Sequence, residues 1–212
     1  MIKKLSLYAV LGCMVLTLAG ECRAIKLPKK IATPLEQTSA GSSDLKAKAS
    51  QVISSYNAAK AIYDNAVLNA AFVLAPADKK GNVSANDIAG AEALITAAGN
   101  NKQITQQLAS LSKEDKELLG NCAYNIALSN LKFGEIVKEG TPISKELLAD
   151  PKASLSLRTE VASLTDILKN TPKQAKTAIQ LSSSLVKIGS AGGLSFPSPT
   201  SAAATAVAIK QF

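Results

Sequence analysis

Histidine and tryptophan are absent from this 212-residue chain, and aromatic residues make up only 4% of it. Without imidazole the usual general base near neutral pH is missing. Ser-His-Asp and Cys-His nucleophiles are excluded, as are zinc, copper and haem sites with histidine ligands. Three cysteines, Cys13, Cys22 and Cys122, are too few for a thiolate metal cage. No catalytic residue, cofactor site or metal site is therefore expected, and the chain reads as a non-enzyme. Arginine is scarce, and no stretch interleaves aromatic with basic residues, which disfavours nucleic acid as a partner.

Long apolar runs are also lacking, with one exception. Lys3 and Lys4 precede an uncharged segment from Leu5 to Gly20, and a short polar stretch ends at Ala24. That order reads as a secretory signal peptide over residues 1–24. The run is shorter than the roughly 20 residues a membrane-crossing helix needs, so no transmembrane span is expected in the mature chain. Cleavage after Ala24, with Cys22 two residues before it, and cleavage after Ala19, with Thr17 before it, both fit a small-x-small site. Leu18-Ala19-Gly20-Glu21-Cys22 resembles a lipid-anchor signal, but Glu21 occupies the place of a small residue. The expected location is the periplasm or the outside of the cell.

Processing removes three basic residues and one acidic one, so the mature chain stays basic. Lys26, Lys29 and Lys30 form a basic cluster just past the cleavage region. They are candidates for weak contact with an anionic envelope surface such as lipid headgroups, lipopolysaccharide or teichoic acid.

What the chain has in abundance is alanine and helix punctuation. Nearly half of it is apolar, and much of that is Ala, a strong helix former. Thr33-Pro34-Leu35-Glu36 and Thr171-Pro172-Lys173-Gln174 read as capping boxes with Pro in the first turn. Thr141-Pro142, Asp150-Pro151, Ser84-Ala85-Asn86-Asp87 and Ser112-Lys113-Glu114-Asp115 read as further starts. The spacing predicts one long helix from about Ser43 to Ala75, with a seam at Leu45, Ala49, Val52, Tyr56, Ala59, Tyr63, Ala66, Ala70 and Val73. A second runs from Lys113 to Lys138, with Leu119, Cys122, Ile126, Ser129, Phe133 and Ile136. Both seams step by three and four. Shorter helices are expected at Ala85–Ala98, Gln103–Ser110, Pro142–Ala149, Pro151–Lys169 and Pro172–Ile188. In the last, Ala175, Ile179, Ser182, Leu185 and Ile188 face inward.

The fold class that follows is all-α. It is an antiparallel multi-helix bundle of two long helices and several shorter ones, with an irregular C-terminal tail. Residues 25–42 read as a flexible N-terminal arm and turn, 43–189 as the bundle domain, and 190–212 as an Ala/Pro/Ser-containing tail. Within that tail the apolar run Ala202–Ile209 is too short to insert and suits docking on the bundle or on a partner.

Few residues stand out as sites. Asp78-Lys79-Lys80-Gly81-Asn82-Val83-Ser84 resembles the start of an EF-hand loop, but Lys80, Val83 and Ala89 occupy its third, sixth and twelfth positions. It reads as a turn into a capped helix. Cys122 is a core residue by position, and a disulfide to Cys22 is open if cleavage spares Cys22. Tyr56, Tyr63 and Tyr124 are candidate groove-lining residues for an apolar or aromatic ligand, with core packing the alternative. The expected function is an exported, non-enzymatic cell-envelope protein that binds another envelope protein, self-associates through its helix seams, or scaffolds an assembly. The alternative is a carrier of a small ligand or lipid in an apolar cavity between helices.

Overall fold

A computed structural model describes residues 42–101 and 104–192, together with 194, 196, 199–200, 202–209 and 212 of the tail. The signal segment, the N-terminal arm, Cys22, Lys26, Lys29, Lys30 and the Thr33 capping box lie outside the described residues. Everything below concerns the compact unit Ser42–Phe212.

The unit is all-helical, with no strand among its described residues. Helix α1 spans Ser42–Leu74 and is followed by a 3-10 helix, Ala77–Asn82. Then come α2 (Ile88–Gly99), α3 (Ile104–Ala109), α4 (Lys113–Ala149), α5 (Pro151–Ser156) and α6 (Arg158–Ala191). The long helices α1, α4 and α6 all pack on one another, most extensively where α4 meets the other two. Helix α2 bridges α1 and α6.

The seams meet inside the chain. Of the nine α1 seam positions, all but the half-buried Tyr56 are buried, and all six α4 positions are buried. Phe133 is the hub: it is fully buried, with the Tyr63 ring edge-on at 5.9 Å and the Tyr56 ring tilted at 6.2 Å. Small residues let the helices close on it. Ala49, Ala59, Ala66 and Ala70 have no exposed surface. A Cβ at Gly140 would sit 3.1 Å from Leu168, 3.2 Å from Val52 and 3.3 Å from Leu164, so α1, α4 and α6 all converge there.

The predicted starts divide into two groups. Ser112 caps α4 by accepting from the Asp115 N–H, and Asp150 caps α5 by accepting from the Lys152 and Ala153 N–H groups. Asp87, not Ser84, caps α2, through the Gly90 N–H; Ser84 instead closes a local turn by accepting from the Asn86 N–H.

Thr141-Pro142 and Thr171-Pro172 start nothing. Both lie inside long helices, so the helix expected to end at Lys138 runs to Ala149, and the two expected between Pro151 and Ile188 become α5 and one continuous α6. The bundle thus has three long helices rather than two. An interior proline costs about 3 kcal/mol. Here both prolines are on exposed faces. Each preceding threonine donates its hydroxyl to the carbonyl four residues back, Thr141 to Val137 and Thr171 to Ile167, both at 2.6 Å. Burial on either side, by Ile136, Gly140 and Leu147 in α4 and by Leu164, Ile167, Ala178 and Leu181 in α6, outweighs the break at about 1.5–3 kcal/mol per large side chain.

Of the inward residues expected from Pro172 to Ile188, Leu185 and Ile188 are buried and Ala175 and Ser182 half-buried. The buried stripe of α6 is Leu164, Ile167, Thr171, Ala178, Leu181, Leu185 and Ile188, stepping by three and four except for one step of seven across the half-buried Gln174 and Ala175. Ile179, expected inward, is 56% exposed.

Truncating the hub tests this packing. Phe133→Ala is expected to lower unfolding stability by about 3–5 kcal/mol. Leu155→Ala, at a position 80% exposed, should stay within about 0.5 kcal/mol. Urea titration followed by circular dichroism compares them.

Candidate functional site

Two surfaces of the bundle are shaped to hold something. The first is already filled by the chain's own tail. Asn125 lies one position before the seam residue Ile126 on α4 and is 2% exposed. Its amide pairs with one peptide unit twice over: Nδ2 donates to the Val207 carbonyl at 2.7 Å, and Oδ1 accepts from the Val207 N–H at 2.8 Å. Seven residues along α4, the Lys132 ammonium donates to the Ala202 carbonyl at 3.3 Å. At the other end the Phe212 ring meets Phe72 of α1 edge-on at 5.7 Å, and Lys80 sits 5.0 Å over the Phe72 ring.

Between these points the tail has no helix or strand; its exposure alternates from Ala202 to Val207, after which Ala208 is exposed and Ile209 half-buried. Ala202, Ala204 and Ala206 are half-buried, while Ala203, Thr205 and Val207 are exposed. A period of two is the signature of extended chain lying on a surface. After the turn at Ala202 and Ala203 the tail is therefore held as an extended peptide. The two hydrogen bonds from the Asn125 side chain to the Val207 backbone fix its register. Upstream, Phe196 seats its ring against the backbone of α6 at Gly189, where a Cβ would collide with it, and near Gly120 of α4.

The second surface is a shallow polar trough between α2 and α6. One hollow of about 250 Å³ is lined by Glu92, Asn170, Lys173, Gln174 and Thr177. Another of about 400 Å³ is lined by Thr96, Asn100, Ile179, Gln180, Ser183, Ser184 and Lys187. The Tyr63 hydroxyl donates to Glu92 at 2.7 Å from behind the first hollow. Burial foremost, then the Glu92 carboxylate, pushes the Tyr63 phenol far above its ordinary range, so it stays protonated and remains a donor. The Gln174 Oε1 atom is buried without a hydrogen-bond partner. This arrangement holds polar groups in place. It does not pair a nucleophile with a base.

The sequence-predicted residues fall as follows. Tyr56 and Tyr63 come together, but around Phe133, as part of the core. Tyr124 is half-buried and, among the described residues, its ring pairs with no other aromatic ring. Cys122 is a free, fully buried thiol whose pKa burial pushes up. Among the described residues no three His, Cys, Asp or Glu side chains cluster as metal ligands, and no helix is long and apolar enough to cross a membrane. Asn125, Glu92 and Gln174 were not signalled as site residues. The signal for Asn125 was a polar residue adjoining an apolar seam, where a buried amide needs partners.

Comparison with protein-family models, with curated proteins and with solved structures finds no match to this chain.

The Tyr63 phenol makes stability pH-dependent in one direction. Its folded pKa lies above the unfolded value of 10.0, so its contribution is present below that pH and is lost as pH rises past it. Wild-type stability should begin to fall at about pH 10 and keep falling across the window up to about pH 12. Tyr63→Phe should show a shallower fall, by urea midpoints measured across that window.

Proposed function

We propose that this chain is an exported, non-enzymatic protein of the cell envelope that works by binding other polypeptide. The carrying observation is the groove on α1 and α4 that holds an extended segment through its backbone, with Asn125 reading the N–H and C=O of one residue at 2.8 and 2.7 Å. Addressing an extended peptide through main-chain hydrogen bonds, with side-chain contacts tuning the choice, is a recurrent mode of protein recognition. Export is supported by the basic, apolar, then small-and-polar order of residues 1–24.

Self-association through the heptad seams does not fit this reading, because those seams are buried within one chain. Binding would fall to the groove and to exposed faces such as that of α6, where Ile179 and Val186 are 56% and 49% exposed. The lipid-carrier alternative calls for an apolar chamber. The two hollows described above are lined mostly by polar side chains, which lends it no support.

The test is capture from envelope extract with the tagged mature chain. One protein, recovered reproducibly in near-stoichiometric amount and lost when Asn125 is replaced by Ala, is the expected result. A bait that stays a partner-free monomer would count against the reading.

A further inference from the structure

The tail that fills the groove is also a sample of what the groove selects. It carries small side chains at alternate positions, a residue with free N–H and C=O opposite Asn125, and an aromatic ring five residues further on. We propose that the groove on α1 and α4 receives the C-terminal segment Ala202–Phe212 of a second copy of this chain, the resident tail being its resting occupant. This rests on the polypeptide-binding reading and names the partner.

Three observations carry it. The first is fit. Every contact now made in one chain, Asn125 to Val207, Lys132 to Ala202 and Phe72 to Phe212, would be made unchanged by a tail arriving from another copy. No foreign segment has its complementarity already on display. Exchange of an identical element is accordingly a low-cost route to association.

The second is a pivot. Phe196 is seated on Gly189 and beside Gly120, so a tail that exchanged between copies would do so from this anchor onward. From Phe196 to Ala202 the chain reads Phe-Pro-Ser-Pro-Thr-Ser-Ala. Six residue steps reach about 20 Å when extended, enough to direct the tail away from its own groove.

The third is a weak hold. Val207 is 36% and Phe212 42% exposed, and apart from the half-buried Ile209 the inward side chains of the clamped stretch are alanines, which bury little area. The tethered tail competes with the incoming one only through its high local concentration. That makes the exchange dependent on protein concentration.

Complementation between two full-length variants tests it. Asn125→Ala breaks the groove and leaves the tail intact. Val207→Pro removes the N–H that Asn125 accepts and leaves the groove intact. Each alone should remain monomeric. Mixed, they should form a 1:1 heterodimer in which the intact tail of the first occupies the intact groove of the second. Native mass spectrometry should show about tenfold more dimer in the mixture than in either variant alone, the worth of one hydrogen bond.

Circular dichroism checks that each variant keeps its helices. If Asn125→Ala does not, Asn125→Asp, which keeps the shape and loses the donor, takes its place. Equal dimer in the mixture and in the single variants overturns the proposal, as does none anywhere. So does a groove that binds a different envelope protein while the mixture stays monomeric; that last outcome would leave polypeptide binding standing and remove only the second copy.

Discussion

The distance between α1, α4 and α6 governs this molecule. With 4% aromatics and no tryptophan, the core has few large side chains with which to fill wide gaps. The helices must approach closely, and they do so where side chains are smallest. The alanine seam of α1 and Gly140 of α4 remove the spacers, and one large ring, Phe133, fills the space left between Tyr56 and Tyr63. Alanine buries little apolar area, at about 25 cal/mol per Å². The stabilisation therefore has to be gathered along length. Helices of 33, 37 and 34 residues follow from that need.

The same need explains what could be read from the residues and what could not. Both long seams were legible, because a three-and-four series of apolar residues is a local pattern. So were the caps at Ser112 and Asp150, which satisfy N–H groups within three residues of themselves. Thr141-Pro142 and Thr171-Pro172 misled for a physical reason. A Thr-Pro pair has the chemistry of a helix start, and whether it acts as one depends on burial contributed by segments far away in sequence. Here the threonine hydroxyl turned back to a carbonyl instead of forward to an N–H. Reading Pro172 as a fresh start also shifts the first turns of the expected stripe: Leu185 and Ile188 are buried as expected, while Ile179 faces out and Ala178 and Leu181 take its place.

The site was less legible than the fold. Tyr56, Tyr63 and Tyr124 were attractive because aromatics are conspicuous, yet a chain with so few of them needs two for its hub. Asn125 was inconspicuous. Its role depends on a residue 82 positions away, and no periodicity carries that information. Glu92 and Gln174 face each other only because α2 folds back between α1 and α6. A pairing made by topology leaves no trace in local spacing.

The tail is held far more lightly than the bundle beneath it. Two hydrogen bonds from Asn125 to Val207, one from Lys132 to Ala202 and a ring contact at Phe212 hold it, at about 1 kcal/mol net for each hydrogen bond. The seams of the bundle are instead buried along their length. The structure is thus graded: a core buried along its seams, and a peripheral strap with few contacts, the kind of segment expected at the low end of local stability. A segment that another polypeptide can replace has to come from that end. Alanine suits both places for one reason. It lets helices close tightly in the core, and in the strap it lets a peptide lie flat without holding it fast.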